Sequence, residues 1–324
     1  MNWRSVSGVR KAAAIVLLGS TALAAVAISA QAEDKFLLGL VSITATEDNN
    51  HRFIEAATKE AAKLGWEVSV IDAQGNADQA NAAFQNLVQR KAGAIVDMVF
   101  PVTSLGAGIK AATDAKIPVA TWGGGMGDGV AATNGSGGPM ATPIIEKLVA
   151  DLGGKGSVLL LTYHTGKVCR DREEVADAIL AKSPDIKVTK NEVRIPGYFQ
   201  DGAQYATAWL ASHPDGSEPL AIWGCWDDPA LGGISALRQQ ARTDVKVYGE
   251  NGNAQAIDAI GKGLMTATAW QDSAGEGVVM VQTLAEVVKA GSAWQPKAVE
   301  VPAVVITKET VEDFAKQHPE ALGQ

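Results

Sequence analysis

Three tryptophans, Trp122, Trp226 and Trp270, each close a short apolar run and stand among polar residues. The chain holds 8 Trp against 6 Phe and 4 Tyr, a skew toward indole that a generic core does not require. Polar and aromatic groups also gather after other apolar runs. Glu47, Asp48, Asn49 and Asn50 follow the first, and Gly123 opens a glycine-rich stretch behind Trp122. Tyr163, His164, Arg170, Asp171 and Arg172 follow a later run, as do Tyr198 and Phe199, then Asp227 and Asp228, then Glu250, Asn251 and Asn253. Aromatic faces stack on the C–H faces of a ring, while planar amide, carboxylate and guanidinium groups bond hydroxyls, which both donate and accept. These positions therefore suit a small polyhydroxylated ligand. The candidate ligand-binding residues are Glu47, Asn49, Asn50, Trp122, Gly123, His164, Arg170, Phe199, Trp226, Asn251 and Trp270.

Other chemistries and plainer roles compete for the same residues. Three indoles with Glu47 and Asp48 could cage a small cation, although Arg170 in the same cleft would oppose it. His164 with Glu47 could serve a hydrolase or lyase. Asn50, Asp201 and Asp228 could be helix N-caps, Arg170 or Arg172 could pair with Glu173 or Glu174, and Trp66 and Trp209 suit core packing.

Familiar catalytic and nucleotide motifs fail on context. Gly127, Gly129 and Ala132 match G-x-G-x-x-A but lead into Thr133-Asn134-Gly135, not into a helix that could face a pyrophosphate. Gly153-Gly154-Lys155-Gly156 lacks both the spacing of a phosphate loop and the hydroxyl residue after Lys. No G-x-S-x-G elbow occurs, and His213 and His318 lie in helix-end Pro contexts. The run Asp72 to Asp78 lacks the Glu of a calcium loop and reads better as a turn in which Asn76 or Asp78 caps a helix. Cys169 and Cys225, with no ligand-spaced His or Cys, do not suit zinc; they are compatible with a disulfide or with two separately buried thiols. No metal, cofactor or catalysis is expected. A formal charge of -8, from 28 Lys+Arg and 36 Asp+Glu, argues against a nucleic-acid partner.

The elements that must position these residues alternate regularly. Phe36 to Val41 is continuously apolar, as in a strand buried on both faces, and Phe53, Ala57, Ala61 and Leu64 then repeat at helical spacing up to Gly65. Strands at 68–71, 94–99 and 118–122 alternate with helices at 80–90 and 106–115. A second block puts strands at 157–162, 186–193, 220–223 and 245–248, with helices at 172–181, 203–212, 229–240 and 254–261. A strand at 266–270, a helix at 277–290 and an extended segment at 299–305 remain. Such alternation predicts an α/β fold of two doubly wound parallel-sheet lobes joined by three hinge strands, with the ligand cleft between them. The leftover unit should complete the first lobe, giving 33–133 with 271–300 and 134–270 with 301–324. Ahead of both, Arg4, Arg10 and Lys11 precede an apolar stretch that ends at Ala30-Gln31-Ala32. This predicts a signal peptide over 1–32, cleaved after Ala32, and a mature protein in the periplasm.

From Lys35 to about Thr307 the chain resembles the periplasmic sugar-binding proteins of ABC transporters, the ribose- and galactose-binding group that shares its lobes with the lac-repressor core. The resemblance is carried by Lys59 to Trp66 leading to Val70 to Gln74, by Ala115 to Val119, by Arg170-Asp171-Arg172, by Asp227 to Gly232, and by Val245 to Gly252. It implies that Arg170 clamps ligand oxygens, that Phe199 stacks, and that Asn251 stands where an Asp binds hydroxyls, with Trp226 and Trp270 where Asn and Gln are usual. Asn49 and Asn50 replace an aromatic pair of the ribose group, and Gly123 and Gly124 an Asp-Arg pair, so ribose or glucose itself fits poorly. The resemblance further implies a monomer that delivers a monosaccharide, polyol or sugar derivative to a membrane permease, with a chemoreceptor as a candidate second partner.

Overall fold

The computed structural model describes residues 35–135, 137–299 and 302–322. The expected signal peptide and its cleavage point lie outside them. The first lobe runs through β1 (Leu37–Ser42), α1 (Asp48–Lys63), β2 (Glu67–Asp72), α2 (Ala77–Gln89), β3 (Ala94–Met98), α3 (Gly106–Asp114), β4 (Val119–Trp122) and β5 (Val130–Asn134). The second runs through α4 (Gly138–Asp151), β6 (Lys155–Thr162), α5 (Lys167–Leu180), β7 (Asp185–Glu192), α6 (Tyr198–Leu210), β8 (Leu220–Gly224), α7 (Asp227–Gln239), β9 (Val245–Asn251), α8 (Ala254–Gly261) and β10 (Ala267–Trp270). The chain then returns: α9 (Ser273–Ala290) packs along α1, and β11 (Lys297–Val299) pairs with β5. Finally β12 (Val304–Thr307) pairs antiparallel with β10, and α10 (Val311–Gln317) packs near α8.

Strand order is β11-β5-β4-β3-β1-β2 in one sheet and β12-β10-β9-β8-β6-β7 in the other, so this is the two-lobed, doubly wound architecture that the alternation predicts. In each sheet the order reverses beside the first strand of the lobe, between β1 and β3 and between β6 and β8. Connections leave in opposite directions there and open a crevice at the carboxyl ends of the strands, where open α/β sheets bind ligands. The cores are built as the periodicity requires. Phe53, Ala57 and Ala61 of α1 and Val281 and Leu284 of α9 cover one face of the first sheet, and Phe84, Leu87 and Ile109 cover the other, all essentially fully buried. Full burial of each Leu or Phe contributes about 1.5–3 kcal/mol. Two glycines let α6 and α7 touch: a Cβ on Gly202 would lie 2.2 Å from the Pro229 carbonyl oxygen, and one on Gly232 would lie 2.2 Å from that of Phe199. That contact seats the first turn of α7 next to the cleft.

The sequence pattern missed β5 and α4. α4 carries Pro139 in its first turn and Pro143 inside it, yet Met140, Ile144, Ile145 and Leu148 bury at helical spacing and hold it helical. The segment at 299–305 is not one strand: β11 and β12 belong to different sheets. Several helices also begin earlier than expected, α1 at Asp48 and α5 at Lys167.

Candidate functional site

The strand-end loops of both lobes line a cleft of about 520 Å³, part of it open to solvent. The first lobe contributes Ile43, Thr44, Glu47, Asn49, Asn50, Val99, Trp122 and Gly123, and the second Tyr163, Gly166, Val168, Cys169, Arg172, Ile195, Trp226 and Asn251. Gln271, where the chain crosses back, completes the lining.

The start of α1 supplies one polar wall. Glu47 caps the helix, its Oε2 accepting from the Asn50 amide at 2.9 Å, while Asn50 Nδ2 donates to the Thr44 carbonyl at 2.8 Å. Burial pushes the Glu47 carboxyl above its ordinary pKa, against the Asn50 and Asn49 amides that favour the charge. Trp122 packs against Phe53 with ring centroids 4.7 Å apart.

The second lobe supplies the cation. Arg172, in α5, is 1% exposed and donates from Nη1 to the Cys225 carbonyl at 2.7 Å. Burial lowers its pKa, while Glu250, Asp227, Glu47 and Glu276 act in the opposite sense. Cys169 and Cys225 form a disulfide, Cα–Cα 5.3 Å, which resolves their pairing. It ties α5 to the loop holding Trp226, whose ring meets Tyr163 and Tyr198 edge-on at 5.9 and 5.5 Å. Behind this wall Asp227 accepts from Asn253 N and Thr268 Oγ1, both at 2.7 Å, and Asp228 accepts from Asn253 Nδ2 at 2.8 Å. Burial raises Asp227 to about 7 and Asp228 and Glu250 to about 8.

The lobes also bond each other directly. Lys167 N donates to the Val99 carbonyl at 3.0 Å, and Arg52 Nη2 donates to the Asn251 carbonyl at 3.2 Å and to Asn49 Oδ1 at 3.1 Å. Val99 and Asn251, which offer these carbonyls, sit at φ 81° and 95°. For a β-branched Val that region is strained, and it persists only where the surroundings hold it.

Of the residues singled out in the sequence, Glu47, Asn49, Asn50, Trp122, Gly123, Trp226 and Asn251 meet in this cleft. His164, Arg170, Phe199 and Trp270 do not line it. His164 is half exposed and pairs with Glu173 at 2.8 Å and Glu192 at 3.1 Å, so the His164–Glu47 pair offered for hydrolysis is not assembled. Phe199 is 39% exposed on α6. Trp270 turns away to pack on Phe314 and His318, centroids 5.2 and 4.6 Å away, which leaves the three-indole cage without one wall. Arg172, Gln271 and Tyr163 take places that the sequence did not assign. The helix-cap alternatives also change: Glu47 caps α1 instead of Asn50, Asp201 binds Arg194 at 2.6 Å, and Asp228 binds Asn253. Asn76 does cap α2, accepting from the Asp78 and Gln79 amides. Among the described residues, no group of three or more His, Cys, Asp or Glu is placed to hold a metal, and no helix is long and apolar enough to cross a membrane.

Two predictions arise from this geometry. Trp226→Phe keeps a ring but removes an N–H, so affinity should fall roughly three- to tenfold at near-constant stability. Trp270→Ala should do the reverse, costing roughly 3–5 kcal/mol of stability as large-to-small core changes do. Titrating both variants and melting both in urea checks the contrast; a Trp270→Ala variant with native stability would refute it. The second concerns pH. Asp97, Asp227, Glu250 and Glu276 hold protons more tightly folded than unfolded, and so does His164, which Glu173 and Glu192 raise against its own burial. The unfolded chain releases these protons first as pH rises, so stability should decline from about pH 5 to pH 8. Urea midpoints at those pH values test this, and a rising midpoint would contradict it.

Two doubly wound lobes closing on a cleft between their strand ends define a two-lobed binding protein. Residues 38–292 match the periplasmic binding protein domain, and the chain belongs to that family. It is 29% identical to the ribose import binding protein RbsB of Escherichia coli over 89% of this chain and 97% of that protein. It is 27% identical to a xylitol-binding protein of Mycolicibacterium smegmatis over 98% and 90%. The solved structure of an ABC transporter solute binding protein from Agrobacterium vitis with bound allitol superposes with a TM-score of 0.80 at 26% identity, covering 87% of this chain and 99% of that one.

Proposed function

We propose that this protein captures a small, neutral polyhydroxylated ligand, a monosaccharide, polyol or sugar derivative, in the periplasm and delivers it to an ABC-transporter permease. One observation carries the ligand chemistry. Glu47 Oε1 and Trp226 Nε1 belong to buried residues on opposite walls of one cleft and have no protein partner. An unsatisfied buried acceptor and an unsatisfied buried donor are each costly, and a hydroxyl-bearing molecule satisfies both. The family and the ligands named for its relatives support the same class. Function then follows from closure: a ligand touching Glu47 and Asn49 of one lobe and Arg172, Trp226 and Asn251 of the other stabilises the closed form that a permease recognises. The cleft binds without transforming its ligand, and the protein acts as a monomer with no nucleic-acid partner, a chemoreceptor being a second docking candidate. The lobe limits we propose are 33–133 with 271–300 and 134–270 with 301–324, after removal of 1–32.

Calorimetric titration with D-ribose, xylitol, allitol and glycerol, with choline as a cationic comparator, tests the proposal. At least one neutral polyol should bind and be recovered unchanged. Binding of choline alone would replace the reading with a cation site, and turnover of a bound polyol would replace it with an enzyme.

A further inference from the structure

Two of the crossings between lobes, after β5 and after β10, meet at one buried residue, Glu276. Glu276 lies in the first turn of α9 and is fully buried. Its Oε2 accepts from Trp122 Nε1 and from Gln271 Nε2, each at 2.6 Å, and its backbone carbonyl accepts from Asn134 Nδ2 at 3.0 Å. Trp122 and Gln271 both line the cleft, whereas Glu276 does not. Asn134 ends β5 and Gln271 follows β10, so one residue, through its carboxylate and its backbone carbonyl together, gathers two hinge positions and one wall of the site.

We propose that Glu276 is a positioning residue of the cleft, whose carboxylate sets the orientation of the Trp122 indole and the Gln271 amide and so couples the shape of the site to the hinge. Both partners present N–H groups, and two buried donors can converge only on a shared acceptor. With its nitrogen held by Glu276, the Gln271 amide must turn its oxygen toward Asn49, whose Nδ2 lies 3.5 Å away. Asn49 in turn accepts from Arg52, which also reaches the Asn251 carbonyl of the other lobe. A continuous polar chain therefore runs from the hinge through one wall of the cleft to the opposite lobe. Burial raises the Glu276 carboxyl to about 7, against the hydrogen bonds from Trp122 and Gln271; Asp272 on its own helix adds to the rise and Arg172 across the cleft opposes it.

Indole N–H resonances of 15N-tryptophan-labelled protein, assigned with Trp122→Phe and Trp226→Phe, report the contact without any ligand. In the wild type the Trp122 proton should lie well downfield of that of Trp226, which has no protein partner. It should stay there in Glu276→Gln, whose amide oxygen still accepts, and move upfield in Glu276→Met. Titrations with D-ribose, xylitol and allitol add an affinity arm, which rests on the sugar reading above. Glu276→Met should lose about tenfold or more, and Glu276→Gln should stay within about threefold. An unmoved Trp122 resonance in Glu276→Met, or undiminished affinity, would overturn the proposal. Should Glu276→Met fail to fold, a wild-type Trp122 proton no further downfield than that of Trp226 would overturn it instead. If none of the three probes binds the wild type, the polyol reading fails while the spectra still decide the role of Glu276.

Discussion

Arg172→Ala should cost about 3–5 kcal/mol of stability and abolish ligand binding, whereas Arg170→Ala should leave both nearly unchanged. The guanidinium of Arg172 interacts electrostatically with the carboxyl groups of Glu250, Asp227, Glu47 and Glu276, all buried, and Arg52 acts as a second cation on Glu47 and Asp227. Removing one member of such a group leaves the remaining charges without compensation in a medium that solvates them poorly. The loss should itself depend on pH. Glu250, Asp227 and Glu276 are already pushed to between about 7 and about 8, so near pH 5 they are protonated and the missing cation matters less. Above pH 8 they are ionised and the defect is largest. Urea unfolding of the variant at pH 5 and pH 8.5, beside the wild type, measures this. A destabilisation that is equal at both pH values would mean that Arg172 acts through packing and its bond to the Cys225 carbonyl, not through charge. Arg170 provides the control, since it shares the helix and the charge but does not line the cleft.

Replacing both Cys169 and Cys225 by serine should lower stability by roughly 4 kcal/mol, the chain-entropy value for the 56-residue separation that the disulfide closes. The larger consequence is local. Cys169 lines the cleft, Cys225 offers its carbonyl to Arg172, and Trp226 is the next residue. Freed from its tether, the loop before α7 can move relative to α5, so ligand affinity should fall along with the urea midpoint. Reduction of the wild-type protein should reproduce both effects, and reoxidation should reverse them. Unchanged midpoints before and after reduction would remove the disulfide from any account of stability.

Much of this site was legible without coordinates because the fold class dictates where a site must be. Alternating strand and helix periods imply parallel sheets, parallel sheets imply a crevice at their carboxyl ends, and the polar residues after each run therefore mark it. Glu47, Asn49, Asn50, Trp122, Gly123, Trp226 and Asn251 were found that way. The misplacements are small in sequence and complete in space. In α5, Val168, Cys169 and Arg172 share the face toward the cleft, as the i, i+3 and i, i+4 spacing of a helix requires, while Arg170 falls on another face. At the end of β10, successive side chains point to opposite sides, so Trp270 goes to the α10 side and Gln271 to the cleft. In α5, helical phase separates Arg172 from Arg170 once the helix is begun at Lys167 instead of Arg172; the end of β10 was already placed at Trp270, and there strand phase alone separates Trp270 from Gln271.

Local periodicity and residue type mark most of the strands and helices, and imply that the sheets are mainly parallel and that the cleft lies at strand ends, because these depend on neighbours within a few residues. They leave open what depends on contacts between distant segments. Whether Cys169 and Cys225 pair, whether a buried Arg comes within electrostatic reach of four carboxyl groups, which indoles face the cleft, and that Glu276 joins Trp122 to Gln271 are decided only once both lobes are packed. Those partners are brought together by burial of apolar surface elsewhere in the chain, a non-directional force that carries no signature at the residues it joins.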